Sequence, residues 1–264
     1  MLARQRQERI LEEVQRHGGA RVSDLVTTLG VSDMTIRRDI QELARQELVL
    51  RVHGGATSIS GRSAEEPGFV VKSALHPVPK SAIAVAAAEL VEPGASIALS
   101  AGTTTYGLAQ QLLTVPGLTI VTNSPPAANL LHEAGRDDLT VILTGGVRTP
   151  SNALVGPIAL GALRTLHVDL LFLGVHGMDE RAGLTTPNLV EAETDRAMVA
   201  AARRLVVVAD HSKWGVVGLS TIADLGQVDV LVTDDGIDER AEQALSQRVG
   251  RLVLATPDDL EAAK

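Results

Sequence analysis

The residues best suited to chemistry in this chain are hydroxyls, amides, glycines and lysines that recur just after apolar runs. SAGTTT occupies 100–105, VTNS 121–124 and LTGG 143–146; GVHGMD at 174–179, GLTTPNL at 183–189 and ADHSKWG at 209–215 follow. Where a strand hands over to a helix, such a run offers backbone N–H groups and hydroxyls at the positive end of the helix dipole, a natural cradle for phosphate. Lys80 and Lys213 add the cations a phosphate needs, and Asp210 stands close to Lys213 in the last loop. Each feature has a plainer reading. A Ser or Thr after a strand is most often a helix N-cap, a glycine pair is usually a turn, and a lone lysine is usually solvated. Six such loops in one chain favour a ligand.

The elements that must position these loops alternate. From Lys80 onward the chain reads as helix (KSAIAVAAAELV), then SIAL, LTIVTN, LTVILTG, DLLFLG, LVVVAD, DVLVTD and LVLAT as strands, with helix-like segments between most of them. Short, continuously apolar strands alternating with helices predict a mostly parallel sheet covered on both faces. In such a sheet ligands bind beyond the carboxyl ends of the strands, where the six loops fall. Composition agrees. Hydrophobic residues make up 45% of the 264, yet only Phe69, Tyr106, Phe172 and Trp214 are aromatic, so Ala, Val, Leu and Ile must fill the core.

The first sixty residues read differently. Ile10, Leu11 and Val14 give one helix a single apolar face, and Gly18-Gly19 stops it. Ser23 stands where an N-cap would open a short second helix, closed by Gly30. Ser32 caps a third, from about Asp33 to Gln46. Its Ile36, Ile40 and Leu43 form one stripe, while Met34, Arg38, Gln41 and Arg45 project opposite and Thr35 and Arg37 flank them. In LVLRVHGGATSI at 48–59, Gly54-Gly55 supplies the positive φ of a tight hairpin. Three helices and a hairpin make a winged helix-turn-helix, whose third helix reads the major groove of double-stranded DNA. The bland alternative is a small helical cap with a solvated charged face.

The net charge of −8 argues against a nucleic-acid partner until the chain is divided. Residues 1–60 hold nine Arg against eight Asp and Glu, a balance of +1; the remainder is −9. Residues 60–79, with Gly61, Pro67, Gly68, Pro77 and Pro79 and little periodicity, read as a linker. The expected organisation is a DNA-binding domain at 1–59, that linker, and an α/β effector-sensing domain at 80–264.

Two matches extend this reading. VSDMTIRRDIQEL at 31–43, followed by RVHGGA at 51–56, closely resembles the signature of DeoR-family bacterial regulators. The resemblance implies Thr35, Arg37 and Arg38 as DNA contacts, with Arg51 and His53 in the wing. GTTT, TNS, LVGP at 154–157, GLTTPNL and ADHSK are similar, in order, to that family's sensor domain. This implies a fold related to ribose-phosphate isomerases and CoA transferases and a pocket for a phosphorylated sugar or polyol. Its residues would be Lys80, Gly102, Thr103, Thr104, Thr105, Asn123, Ser124, Thr185, Thr186, Asp210 and Lys213. It also implies a repressor of a carbohydrate or polyol operon, released by that effector. The chain departs from the family twice: Ser100 stands where Asp is common before AGTTT, and GVHG places His176 where GADG is common. Both residues belong to the expected pocket, now without two acids.

An enzyme related to sugar-phosphate isomerases is the alternative. It needs a carboxylate base, and Asp179, Glu191, Glu193, Asp195 and Asp210 are available in kind. Ser100 and His176 remove acids from the loops where chemistry would sit, and no catalytic residue is expected. With no cysteine, disulfides, thiolate catalysis and zinc ribbons are excluded. No metal or cofactor is expected, and no G-x-G-x-x-G follows the first strand of the α/β region to suggest a dinucleotide. No signal peptide and no apolar run of about 20 residues is present, so a cytosolic protein, away from membranes and assembled as a homodimer or homotetramer, is the expectation.

Overall fold

Apolar spacing near the N-terminus builds a helical unit in the computed structural model, which describes residues 2–17, 19–46, 48–52, 54–58 and 69–256. The chain divides into two units, Met1–Val71 and Lys72–Lys264. The first contains α1 (Ala3–His17), β1 (Gly19–Arg21), α2 (Val22–Leu29), α3 (Asp33–Arg45), β2 (Val49–Val52) and β3 (Gly55–Ser58). Ile10, Leu11, Val14, Leu25, Ile36, Ile40 and Leu43 are all buried, so the stripes read from spacing meet in one core.

Three details differ from the sequence reading. The second helix begins at Val22 with Arg21 at its N-cap, and Ser23 is already inside it. The reason is β1, which pairs with β3 and delivers the chain straight into the helix; the Val22 N–H bonds the Gly54 carbonyl at 2.9 Å. The wing is therefore a three-stranded sheet, β1-β3-β2, rather than a lone hairpin. Gly54 has the positive φ (83°), but Gly55 serves another purpose: a Cβ there would lie 2.3 Å from the Ala20 carbonyl oxygen.

The helix α4 (Phe69–Ala74) spans the division and α5 (Pro77–Ala88) follows it, so part of the expected linker at 60–79 is helical, and residues 60–68 of it lie outside the described residues. There follow β4 (Ser96–Leu99), α6 (Thr103–Gln111), β5 (Thr119–Thr122), α7 (Pro125–Glu133), β6 (Thr140–Leu143), β7 (Val147–Arg148), β8 (Leu154–Val155), α8 (Pro157–Leu163) and β9 (Val168–Leu173). The rest are β10 (Gly177–Asp179), β11 (Gly183–Thr186), α9 (Leu189–Ala201), β12 (Ala202–Val208), β13 (Ser220–Ala223), β14 (Val230–Asp234), α10 (Glu239–Ser246) and β15 (Arg251–Ala255).

Seven strands form one sheet in the order β15-β14-β12-β9-β4-β5-β6, every neighbouring pair parallel. Alternate residues feed two cores. Ile97, Leu99, Phe172 and Val206 pack with Ile83, Leu108 and Leu131 on one face; Ala98, Leu171, Leu173 and Val207 pack with Ala192, Met198 and Leu245 on the other. The expected mostly parallel α/β fold is therefore the observed one.

Strand order carries the functional information. From β4 the chain moves to β5 and β6 on one side, then returns to place β9 on the other side of β4. That reversal opens a crevice at the carboxyl ends of β4 and β9, where open parallel sheets hold ligands. A smaller antiparallel sheet, β10-β11-β13, was not legible as strands: GVHGMD and GLTTPNL read as loops because they are short and glycine-rich.

Candidate functional site

In the first unit, α3 is started by Ser32, whose hydroxyl accepts from the Thr35 N–H at 3.3 Å and lies 2.8 Å from the Thr35 hydroxyl. Thr35 is thereby fixed at the first turn. Arg37 is exposed but engaged: its guanidinium donates to both carboxylate oxygens of Asp33, at 2.5 and 3.2 Å. Arg38 is exposed and makes no ion pair among the described residues. With Met34, Gln41 and Arg45 it lines a groove of about 580 Å³, to which α1 adds Ala3, Arg6 and Gln7. Arg51 is exposed on β2, paired in register with Ala56. His53 lies outside the described residues.

Asp39 escaped the sequence reading. It is buried and takes hydrogen bonds from Arg6 and Gln7, which fixes α1 beside the groove wall. The signal was present: Asp39 lies three residues after Ile36 and four before Leu43, on the buried stripe.

In the second unit the expected pocket residues fall into two groups. Some already have their polar groups committed. Ser100 Oγ accepts from the Gly174 N–H at 2.9 Å, stitching the loop after β4 to the loop after β9. Asn123 accepts from the Ala101 N–H at 2.8 Å and donates to the Leu154 carbonyl at 3.3 Å. Ser124 caps α7, and Thr105 Oγ1 donates to the Gly102 carbonyl. Thr185 is a strand residue whose hydroxyl donates to Gly177 O and accepts from the Gly218 N–H at 2.9 Å. These residues hold the crevice in shape. Thr104 and Thr186 are buried beside them, and Gly102 and Thr103 open α6 at the crevice, with first-turn N–H groups that no helix can satisfy internally.

The second group is charged. Asp210 follows β12 and is 1% exposed; Oδ1 accepts from the Ser212 N–H at 3.1 Å and from the Ser212 hydroxyl, while Oδ2 has no hydrogen-bond partner among the described residues. Burial pushes its carboxyl up, but Lys213, Lys80 and His76 outweigh that and hold it at about 2. Lys80 is 8% exposed rather than solvated, and its ammonium caps the carbonyls of Lys72 and Leu75 at 2.6 and 2.5 Å. Burial pushes it down to about 8 against the pull of Asp210, and Lys213 and Lys72 push the same way. Burial likewise lowers Lys213.

Around this core stand His76 and His211, which the sequence reading did not single out, and His176, which it did. His76, at φ 50° before Pro77, meets the ring of His211 edge-on at 5.3 Å. His211 Nδ1 lies 2.6 Å from Asp234 Oδ2, at the end of β14. His176 is partly buried after β9, and burial, Lys213 and Lys72 push it down to about 3, so it is a neutral imidazole at pH 7. Two of the acids considered for catalysis have structural roles: Asp179 accepts the Arg181 and Ala182 N–H groups, and buried Glu191 accepts from the Ser151 hydroxyl. No cluster suited to a metal ion occurs among the described residues, and no helix of the structure is long and apolar enough to cross a membrane.

Both units match described families. Residues 6–62 match the DeoR-like helix-turn-helix domain and residues 76–235 the DeoR C terminal sensor domain. The chain belongs to the DeoR family. This DeoR-family protein is a DNA-binding transcriptional regulator, not an enzyme. It is 39% identical over 97% of its length to the Escherichia coli K12 "uncharacterized HTH-type transcriptional regulator YgbI", covering 99% of that protein. It is 34% identical to the "putative aga operon transcriptional repressor" of Escherichia coli O157:H7, over 95% of this chain and 93% of that one. It is also 34% identical to the Escherichia coli K12 "glycerol-3-phosphate regulon repressor", over 87% and 90%.

Proposed function

We propose that this DeoR-family regulator represses a carbohydrate or polyol catabolic operon in the cytosol and leaves its operator when a phosphorylated sugar or polyol binds. Thr35, Arg37 and Arg38 contact the operator from α3, and Arg51 and His53 from the wing. The active species is a homodimer or homotetramer, because a helix-turn-helix reads paired half-sites about one helical turn apart. The observation that carries the effector reading is the convergence of Lys80, Lys213 and Asp210 after β12, at the same carboxyl-terminal edge of the parallel sheet where α6 opens after β4, which suits a phosphate monoester with hydroxyls attached. The repressor relatives, named for an aga operon and a glycerol-3-phosphate regulon, support the same class.

The test is a gel-shift titration on the operator beside the chain's own gene, with and without a panel of sugar and polyol phosphates. One phosphorylated compound should release the complex and its dephosphorylated form should not. Release by free sugars alone would sink the effector class. Sedimentation of the full chain showing only monomer at micromolar concentration would sink the assembly.

A further inference from the structure

The crevice between β4 and β9 is unusual in its charge. The loop after β4 reads Ser100-Ala101-Gly102-Thr103-Thr104-Thr105 and the loop after β9 reads Gly174-Val175-His176-Gly177; neither contains an acid. Ser100 and Gly174 are joined directly, so the two loops form one wall. The charged groups that act on His176 are Lys213 and Lys72, both cations, with no carboxylate among them. Asp210 acts on Lys213, Lys80 and His76 and is not among the groups that act on His176, and Asp234 is occupied by the His211 backbone N–H, His211 Nδ1 and the Gly236 N–H.

Two ligand groups follow from this arrangement besides a phosphate. The His176 side presents a neutral imidazole on which two ammonium groups act, a setting that attracts a second anion and offers a ligand hydroxyl no carboxylate to donate to. Asp210 Oδ2, buried and without a hydrogen-bond partner among the described residues, is a strong acceptor that a hydroxyl O–H can satisfy. We infer that the effector is a phosphorylated sugar acid, a polyhydroxy carboxylate whose carboxylate lies toward His176 and Lys213 and whose hydroxyl donates to Asp210. This rests on the sugar-phosphate reading above and narrows it.

The experiment is calorimetry of the full chain with four-, five- and six-carbon aldonate phosphates, each beside the alditol phosphate of the same length and the unphosphorylated aldonate. The tightest ligand should be an aldonate phosphate, at least about tenfold tighter than its alditol phosphate, the size of one charge-assisted contact. In His176→Asp, which sets a carboxylate where the ligand's own is expected, that ratio should fall by about tenfold or more. An alditol phosphate that binds as tightly as its aldonate phosphate overturns the inference and leaves the sugar-phosphate reading standing. Binding of neither phosphorylated series, with binding of the unphosphorylated aldonates, overturns both.

Discussion

Arg6 in α1 grips Asp39 in α3 with two hydrogen bonds, Nε to Oδ2 at 2.5 Å and Nη2 to Oδ1 at 3.2 Å. The side chains are only 12% and 6% exposed, and Gln7 adds a bond to Oδ1. Removing one partner strands the other in a poorly hydrated place. Asp39→Ala should therefore lower the unfolding free energy of the N-terminal unit by about 1.5–3 kcal/mol, a typical worth for hydrogen bonds to charged groups. The double variant with Arg6→Ala should lose less than the sum of the two single losses. Urea unfolding followed by helical circular dichroism measures both; a loss under about 0.5 kcal/mol for Asp39→Ala would mean the pair behaves as a surface bridge.

Arg38 and its neighbour Arg37 should not be equivalent. Arg38 is exposed in the groove without an ion pair among the described residues, whereas Arg37 must give up Asp33 to engage DNA. Arg38→Ala should weaken operator binding by about 1–3 kcal/mol, and Arg37→Ala by less. Gel-shift titration at fixed salt reads the difference, while calorimetry should find effector binding unchanged in both. Equal operator affinity for wild type and Arg38→Ala would remove α3 from the interface.

Effector binding should weaken in alkali. Lys80 holds its proton only to about 8 in the free protein, against 10.5 for an ordinary lysine, because burial outweighs Asp210. A bound anion raises that value, so above pH 8 binding takes up a proton and affinity falls as pH rises. The phosphate, whose second pKa is near 6, is already fully ionised there. The dissociation constant should rise up to about tenfold between roughly pH 7.5 and 9.5, and Lys80→Met should flatten the curve. Stability carries the opposite sign. Between 8 and 10.5 the unfolded chain binds the extra proton, so the contribution of Lys80 to stability increases with pH across that window.

Trp214, the single tryptophan, follows Lys213 directly, is partly buried against the core and forms a backbone bridge with Met178 of β10. Anion binding at Lys213 changes the charge beside the indole, so intrinsic fluorescence should shift saturably, with the midpoint at which operator is released. Lys213→Ala should weaken effector binding by about 1.5–3 kcal/mol and leave operator affinity without effector nearly intact. A wild-type dose response in that variant would show that Lys213 only covers the sheet.

The sequence by itself determined the elements. The 3.6-residue stripe of Ile36, Ile40 and Leu43, the Ser32 cap and the seven apolar strands are local signals, because dihedral preference and face burial depend on residues a few positions apart. It also placed hydroxyl and glycine runs at the ends of strands, since those signals are local too. It could not say what those side chains do. Asn123 and Thr185 read as ligand contacts, yet their polar atoms serve Ala101, Leu154, Gly177 and Gly218, partners fixed only when distant loops meet. Ser100 and Gly174 lie 74 residues apart and touch only because β9 lies beside β4. Burial of charge is likewise a property of neighbours. A lysine in a helical run looks solvated until Lys72, Leu75 and Asp210 close around Lys80, and an aspartate after two arginines looks exposed until α1 brings Arg6 onto Asp39.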